Sequence, residues 1–326
     1  MRYYDIQINN MDGTSYRRYT SFANNVTNSS ALQVEFDLPV VPYDTPAGAS
    51  LIKVMGVSLQ DISQATNMNP VDKTANGKTT TTYKTIKIFG GMQKGLPLAN
   101  PAQSGLLVSG IVQQAFGNWI GTDMSLNILL NTGASPDNTP QNLIVNWPAG
   151  TALATVIKNT LATVFPTYKV NINISSQLVL NSDQKGFYGS LTELAQYFQQ
   201  ISQAIVGGSY SGVKIIVKDS VFTVYDGTTP KTPTQIQFWD LIGQPTWLSP
   251  LTIQFICVMR ADLQVGDYIK MPPTQFTTSP QSYSNFRDNS VQQGSFQIDM
   301  IRHIGNFRSP DAASWITLVD AHSVQN

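Results

Sequence analysis

Side chains able to carry chemistry are few in this sequence. It holds two histidines, His303 and His322, and one cysteine, Cys257. His303 falls on an alternating stretch, where a satisfied, partly buried imidazole is the expected role. His322 lies near the C-terminus, where disorder is common. Cys257 sits inside the apolar run from Leu251 to Met259 and reads as a small buried hydrophobe rather than a nucleophile. No His-x-x-His or Cys-x-x-Cys spacing occurs, so no zinc site is expected. The glycines between Gly90 and Gly121 lack the Gly-x-x-x-x-Gly-Lys-Ser/Thr spacing of a phosphate loop, and no amphipathic helix follows them. They are expected to mark bulges and tight turns between short strands. A glycosidase needs two carboxylates across a cleft. Here the aspartates stand mostly in turn contexts, such as Asp226-Gly227 and Gly266-Asp267, where Asp bonds its own backbone. The expectation is a protein that is not an enzyme and carries no cofactor or metal.

Composition points the same way. Of 326 residues only 12% are charged while 41% are hydrophobic, against a usual charged share of about a quarter. Glu35 and Glu193 are the only glutamates, so exposed amphipathic helices must be few. A weakly charged surface suits a subunit buried among others. Twenty basic residues balance twenty acidic ones, and neither a basic face nor an acidic tail is visible, which argues against strong phosphate neutralisation. One cysteine excludes an intrachain disulfide and fits folding in a reducing compartment. No apolar run reaches membrane-spanning length and no signal-peptide pattern opens the chain.

The elements follow from periodicity. Ala31–Leu38 alternates apolar and polar residues as a half-buried strand does. Strands are also expected at Ser50–Val57, Tyr83–Phe89 and Met124–Leu130, with a helical turn at Leu59–Ile62 and a hairpin turn at Asn76-Gly77. Leu153, Val156, Ile157, Leu161 and Val164 recur at helical spacing. Ser190-Leu191-Thr192-Glu193 reads as a capping box opening a helix that Gly207-Gly208 stops. Tyr168–Ile174 alternates as a strand between these helices, and Val213–Val217 and Val221–Tyr225 form a hairpin. The pattern is a mainly β chain with a small α/β insert.

The last quarter carries a more particular pattern. Phe238-Trp239-Asp240-Leu241-Ile242-Gly243 precedes the strand Leu251–Met259. Then come Arg260-Ala261-Asp262-Leu263-Gln264-Val265-Gly266-Asp267, a polar loop from Pro272 to about Gln293, and a closing hairpin. That hairpin reads Phe296-x-Ile-x-x-Ile-x-His303-x-Gly305, followed by Trp315-x-Thr-x-Val-x-Ala. In this order the pieces resemble the C-terminal barrel of tailed-bacteriophage baseplate hub proteins, the group that includes the tail late-control proteins. The residues carrying the likeness are Leu241, Ile242, Gly243, Gly266, Asp267, Phe296, His303, Gly305 and Trp315. The segment Lys87–Asp123, with its Gly-Leu-Pro-Leu-Ala-Asn-Pro phrase, is also similar to phage tail proteins.

The resemblance implies two tail-tube-type β-barrels, at residues 1–130 and 213–326, with an inserted mixed domain at 131–212. It implies a homotrimer that joins a hexameric tail tube to a trimeric central spike, contacts other baseplate proteins, and lines a channel through which DNA passes without specific binding. Such a protein is made in the host bacterial cytoplasm and resides in the virion tail. The chain is shorter than the larger hubs and has no appended lysozyme or spike domain. Two rival functions are a carbohydrate- or receptor-binding tail protein using Trp119, Trp147, Trp239 and Trp247 as a platform, and a cryptic peptidoglycan hydrolase.

Overall fold

The computed structural model describes residues 2–23, 26–46, 48–75, 78–93, 100–132, 142–208, 210–229, 231–249, 251–272 and 294–324. The Asn76-Gly77 turn, nearly all of the polar loop after Pro272 and most of the Gly-Leu-Pro-Leu-Ala-Asn-Pro phrase fall outside these residues.

The protein is mainly β, with a small α-helical insert. The first strands are β1 (Arg2–Asn10), β2 (Ser15–Thr20), β3 (Gln33–Val40) and β4 (Ser50–Met55), followed by β5 (Lys84–Met92), β6 (Gly105–Ile120) and β7 (Asp123–Asn131). A short helix, α1 (Leu59–Ser63), begins at Ser58, whose hydroxyl accepts from Asp61 N while the Asp61 carboxylate accepts from Ser58 N. The insert comprises β8 (Leu143–Trp147), α2 (Leu153–Val164), β9 (Lys169–Asn173), β10 (Gln184–Tyr188), α3 (Leu191–Val206), β11 (Lys214–Lys218) and β12 (Val221–Tyr225). The closing strands are β13 (Thr234–Gln235), β14 (Thr246–Ser249), β15 (Thr252–Val258), β16 (Tyr268–Lys270), β17 (Ser295–Asn306) and β18 (Trp315–Ser323).

First and last strands belong to one sheet of 13 strands, in the order β14-β15-β18-β17-β3-β4-β7-β6-β5-β1-β2, with β16 paired to β17 and β13 to β16. Alternation decides its faces. Val34, Phe36 and Leu38 of β3 and Ile52 and Val54 of β4 join Tyr4, Ile6, Ile8, Ile86, Ile88, Leu126 and Ile128 in one core. The sheet curls over that core until β1 reaches the chain entering β3, where the Tyr4 hydroxyl donates to Leu32 O at 2.7 Å. Ile253, Phe255 and Cys257 of β15 pack with Ile298, Val319 and Ala321 in a second core. A third lies inside the insert, between α2, α3 and strands β8, β9, β11 and β12.

In two places the structure departs from the local reading. The glycines of 105–120 do not separate short strands: β6 runs unbroken for 16 residues, with register shifts at Leu106/Val108 and Val112/Gln114. Gly110 and Gly117 lie within it because backbone passes too close for a Cβ, at Asn131 and Ile62 respectively. The capping box of α3 is displaced by one residue. Ser190 Oγ accepts from Glu193 N, but the Glu193 carboxylate takes its proton from Gly189 N at 2.9 Å instead of from Ser190 N. The hairpin β11–β12 adds to β9 in a three-stranded sheet of the insert, with β9 and β12 parallel.

Candidate functional site

Three residues of the sequence pattern, His303, Gly305 and Trp315, gather where the two sets of strands meet. β17 runs antiparallel to β3, with Ile301 opposite Val40 and Asn306 opposite Glu35, and antiparallel to β18 on its other side. Gly305 faces Phe36 across one ladder and Trp315 across the other. A Cβ at Gly305 would collide with the Phe36 ring. Without it, that ring lies against the glycine and meets Trp315 edge-on at 5.2 Å. The indole N–H donates to Gly91 O at 3.0 Å, on β5 of the first set. A glycine inside a strand thus marks the point where an aromatic ring covers bare backbone.

Beside this aromatic contact lies a buried ion-pair group. Arg260 is only 2% exposed. Its guanidinium reaches Asp240 at 3.1 Å and grips Asp262 through Nε and Nη2, at 2.7 and 2.6 Å. Burial opposes the Arg260 charge, but the hydrogen bonds and charge of Asp262, with the charge of Asp240, hold its pKa above the ordinary value. Gln103, from the first half of the chain, donates to Asp240 at 3.2 Å and accepts from Ala261 N at 2.7 Å. The group therefore ties both strand sets together. Removing one member would strand a charge away from water.

Thr317 links this group to His303. Its hydroxyl accepts from Arg260 N at 3.0 Å and donates to Arg260 O at 3.3 Å, and it lies 3.0 Å from His303 Nδ1. A hydroxyl has one proton to give. Whether that proton serves Arg260 O or His303 Nδ1 sets the tautomer of the imidazole. Burial first, then the Lys218 charge, push the His303 pKa down to about 3. Cys257 is also buried; its thiol donates to Thr317 O at 3.4 Å and burial pushes its pKa up to about 12.

The remaining pattern residues shape the surrounding chain. Leu241 bridges Cys257, and Ile242 N donates to Ile256 O at 2.8 Å, so this segment lies along β15. Gly243 turns it with φ +81°. Gly266, at φ +85°, donates to Ile298 O, and a Cβ there would stand 2.7 Å from the Tyr225 ring. The Asp267 carboxylate accepts from Gln264 N at 3.0 Å, and Lys231 lies 3.5 Å from it. Phe296 is buried in the second core, with Trp247 packed on it at 6.3 Å. The structure thus brings Gly305, Trp315 and His303 together, while Gly243, Gly266, Asp267 and Phe296 sit further along the second strand set. Asp240, Arg260, Asp262, Gln103 and Thr317 were not singled out by the sequence pattern. The available signal was a charge placed directly after the apolar run ending at Met259.

Among the described residues no group of three or more His, Cys, Asp and Glu is placed to hold a metal ion. Of the tryptophans offered as a platform, Trp147 is fully buried in the insert, whereas Trp119 and Trp239 are 61% and 59% exposed.

No family model matches the sequence, and no curated protein matches it. Solved structures do share the fold. The 43 kDa tail protein of prophage MuSo2 from Shewanella oneidensis is similar with a TM-score of 0.52 at 7% identity, covering 98% of each chain. A chain of the Francisella PdpA-VgrG complex gives 0.52 at 7% identity over 99% of this chain, which spans 53% of that one. The Escherichia coli c3393 protein gives 0.50 at 9% identity, covering 92% of this chain and 76% of that one. It is a type VI secretion component described as structurally similar to T4 bacteriophage tail proteins. The fold is thus shared with a prophage tail protein, a type VI secretion component and a chain of a VgrG complex.

Proposed function

We propose that this chain is the structural hub of a phage-type tail, a homotrimer that joins a hexameric tube to a trimeric spike and encloses the channel between them. One observation carries the reading: two strand sets are fused edge to edge into a single curved sheet by a ladder and a buried ion-pair group. Three rigid double units can present six similar faces to a sixfold tube while keeping threefold symmetry for a spike. In this reading residues 1–130 and 213–326 form the two barrels and 131–212 the insert, with the hairpin β11–β12 serving both the insert and the second core.

Charges on the sheet face opposite the cores support passage of DNA without capture. Arg302 pairs with Asp37, Glu35 accepts from Asn306 at 3.0 Å and stands opposite Lys53, and Asp320 accepts from Gln254 at 2.8 Å. Paired charges leave few cations to neutralise phosphates. The test is the mass in solution by light scattering, alone and with the partner tube and spike proteins. A species of about 107 kDa, three times the 35.7 kDa chain, that joins either partner is the expected result. A chain that stays monomeric or dimeric with both partners sinks the reading. Exposed Trp119 and Trp239 favour the carbohydrate-binding alternative, which retention on immobilised glycans, lost in Trp119→Ala or Trp239→Ala, would bring forward.

A further inference from the structure

The short helix α1 has five residues and no fully buried side chain. Ile62 packs on the first core, seated over Gly117 of β6 where a Cβ would collide with it. A second tie is polar and runs to β2. Arg17 Nη2 lies 3.0 Å from Asp61 Oδ1 and 3.4 Å from Gln64 Oε1, just past the end of the helix. Arg17 and Tyr19 are two residues apart on one strand, so both side chains leave β2 on the same face. Tyr19 is 7% exposed and belongs to the first core.

That tie leaves three buried atoms with hydrogen-bonding capacity unspent. Asp61 Oδ2 accepts from Ser58 N at 3.4 Å and from Ser58 Oγ at 3.0 Å. Asp61 Oδ1 has only the ion pair with Arg17, which is not aligned as a hydrogen bond. Arg17 Nε and the Tyr19 hydroxyl also have no hydrogen-bond partner among the described residues, and all three atoms are closed to solvent. Burial first, then the Asp61 charge, raise the Tyr19 pKa, and the Arg17 charge opposes them, so both charged groups stand near the phenol. A buried donor or acceptor left unpaired is costly. Three at one place are relieved together by one small polar ligand.

We infer that one ordered water molecule is bound between β2 and α1, accepting from Arg17 Nε, donating to Asp61 Oδ1 and sharing a hydrogen bond with the Tyr19 hydroxyl. The donors and acceptors select it. Arg17 Nε can only donate and the Asp61 carboxylate can only accept, so the ligand must do both. An anion would be repelled by Asp61 and a cation by Arg17. Three bonds to otherwise unpartnered groups is the usual complement of a buried water. The site joins the β1–β2 hairpin to α1 and does not depend on how many copies assemble or on the hub reading.

Crystals of the full chain, diffracting well enough to show ordered waters, are the first test. One water is expected within roughly 2.6–3.2 Å of Arg17 Nε, Asp61 Oδ1 and the Tyr19 oxygen. The second test is Tyr19→Phe, which removes that oxygen and keeps the ring in the core. If the hydroxyl holds a water, the unfolding equilibrium constant in denaturant rises about fivefold in the variant. A hydroxyl with nothing to bond would leave that constant unchanged or lower it. No water at the site, a direct Tyr19–Asp61 hydrogen bond in its place, or a Tyr19→Phe chain no less stable than its parent each overturns the assignment.

Discussion

The chain has two internal joints, and they are built differently. Where β3 meets β17, six residue pairs, an aromatic contact over Gly305 and the Arg260 group leave no room between the strand sets. Where the insert meets the sheet, the links are more polar. Tyr43 N donates to Ile215 O at 2.9 Å, Gln199 donates to Asp44 at 2.9 Å, and Lys214 and His322 share Asp299 at 3.1 and 2.7 Å. A cleft opens beside them. Interdigitated joints have a single arrangement, whereas polar, partly solvated ones can loosen without unfolding either side. The lesson is that this molecule keeps its strand sets as one body and holds its insert by a more polar joint, to which Ile216 and Tyr225 of the β11–β12 hairpin add apolar contacts with the second core.

Three measurements bear on that contrast. Arg260→Ala should break the tight joint, because it leaves Asp240 buried without its cation. A loss of roughly 3–5 kcal/mol in denaturant stability is expected, and a value near zero would mean that the group is solvated. Acid should act on the same joint through His303. Its folded pKa, about 3, lies below the unfolded value, so only the unfolded chain takes up a proton as pH falls below about 6.5. Stability from this group is full above pH 6.5 and drains as pH drops toward 3, by about 2 kcal/mol at pH 5. His303→Gln should flatten that part of the stability–pH curve. Lys214→Met should touch only the looser joint. A cost below about 1 kcal/mol is expected, with faster hydrogen exchange confined to the insert contact and the β3–β17 ladder unchanged. Exchange that rises equally at both joints would erase the distinction between them.

Much of the fold was legible because local rules and tertiary structure agree. β3 follows from strict alternation, α2 from helical spacing, and the β11–β12 hairpin from two apolar runs around a polar turn. Gly305 and Trp315 were legible as a pattern, but not as a joint, because their shared partner Phe36 lies far away in sequence. Asp240, Arg260 and Asp262 were hidden for a different reason. Charged residues are ordinarily exposed, and only the three-dimensional meeting of Gln103 with that group reveals burial. The unbroken course of β6 was also missed, since glycine in a strand is read locally as an interruption while here it admits neighbouring backbone.

The ladder between β3 and β17 has a consequence for how the chain is made. Asp37 and the Arg302 it pairs with are separated by 265 residues. At a ribosome adding about 5–20 residues per second, β3 therefore waits roughly 10–50 s for its neighbour. Throughout that interval the emerging chain displays an unpaired strand edge, the feature that invites pairing with the wrong molecule. Nascent chains on one message carry the same naked edge at the same time. Holding them apart until the final hairpin is released is a task for chaperones, and overproduction should send this protein into inclusion bodies before it exhausts its capacity to fold.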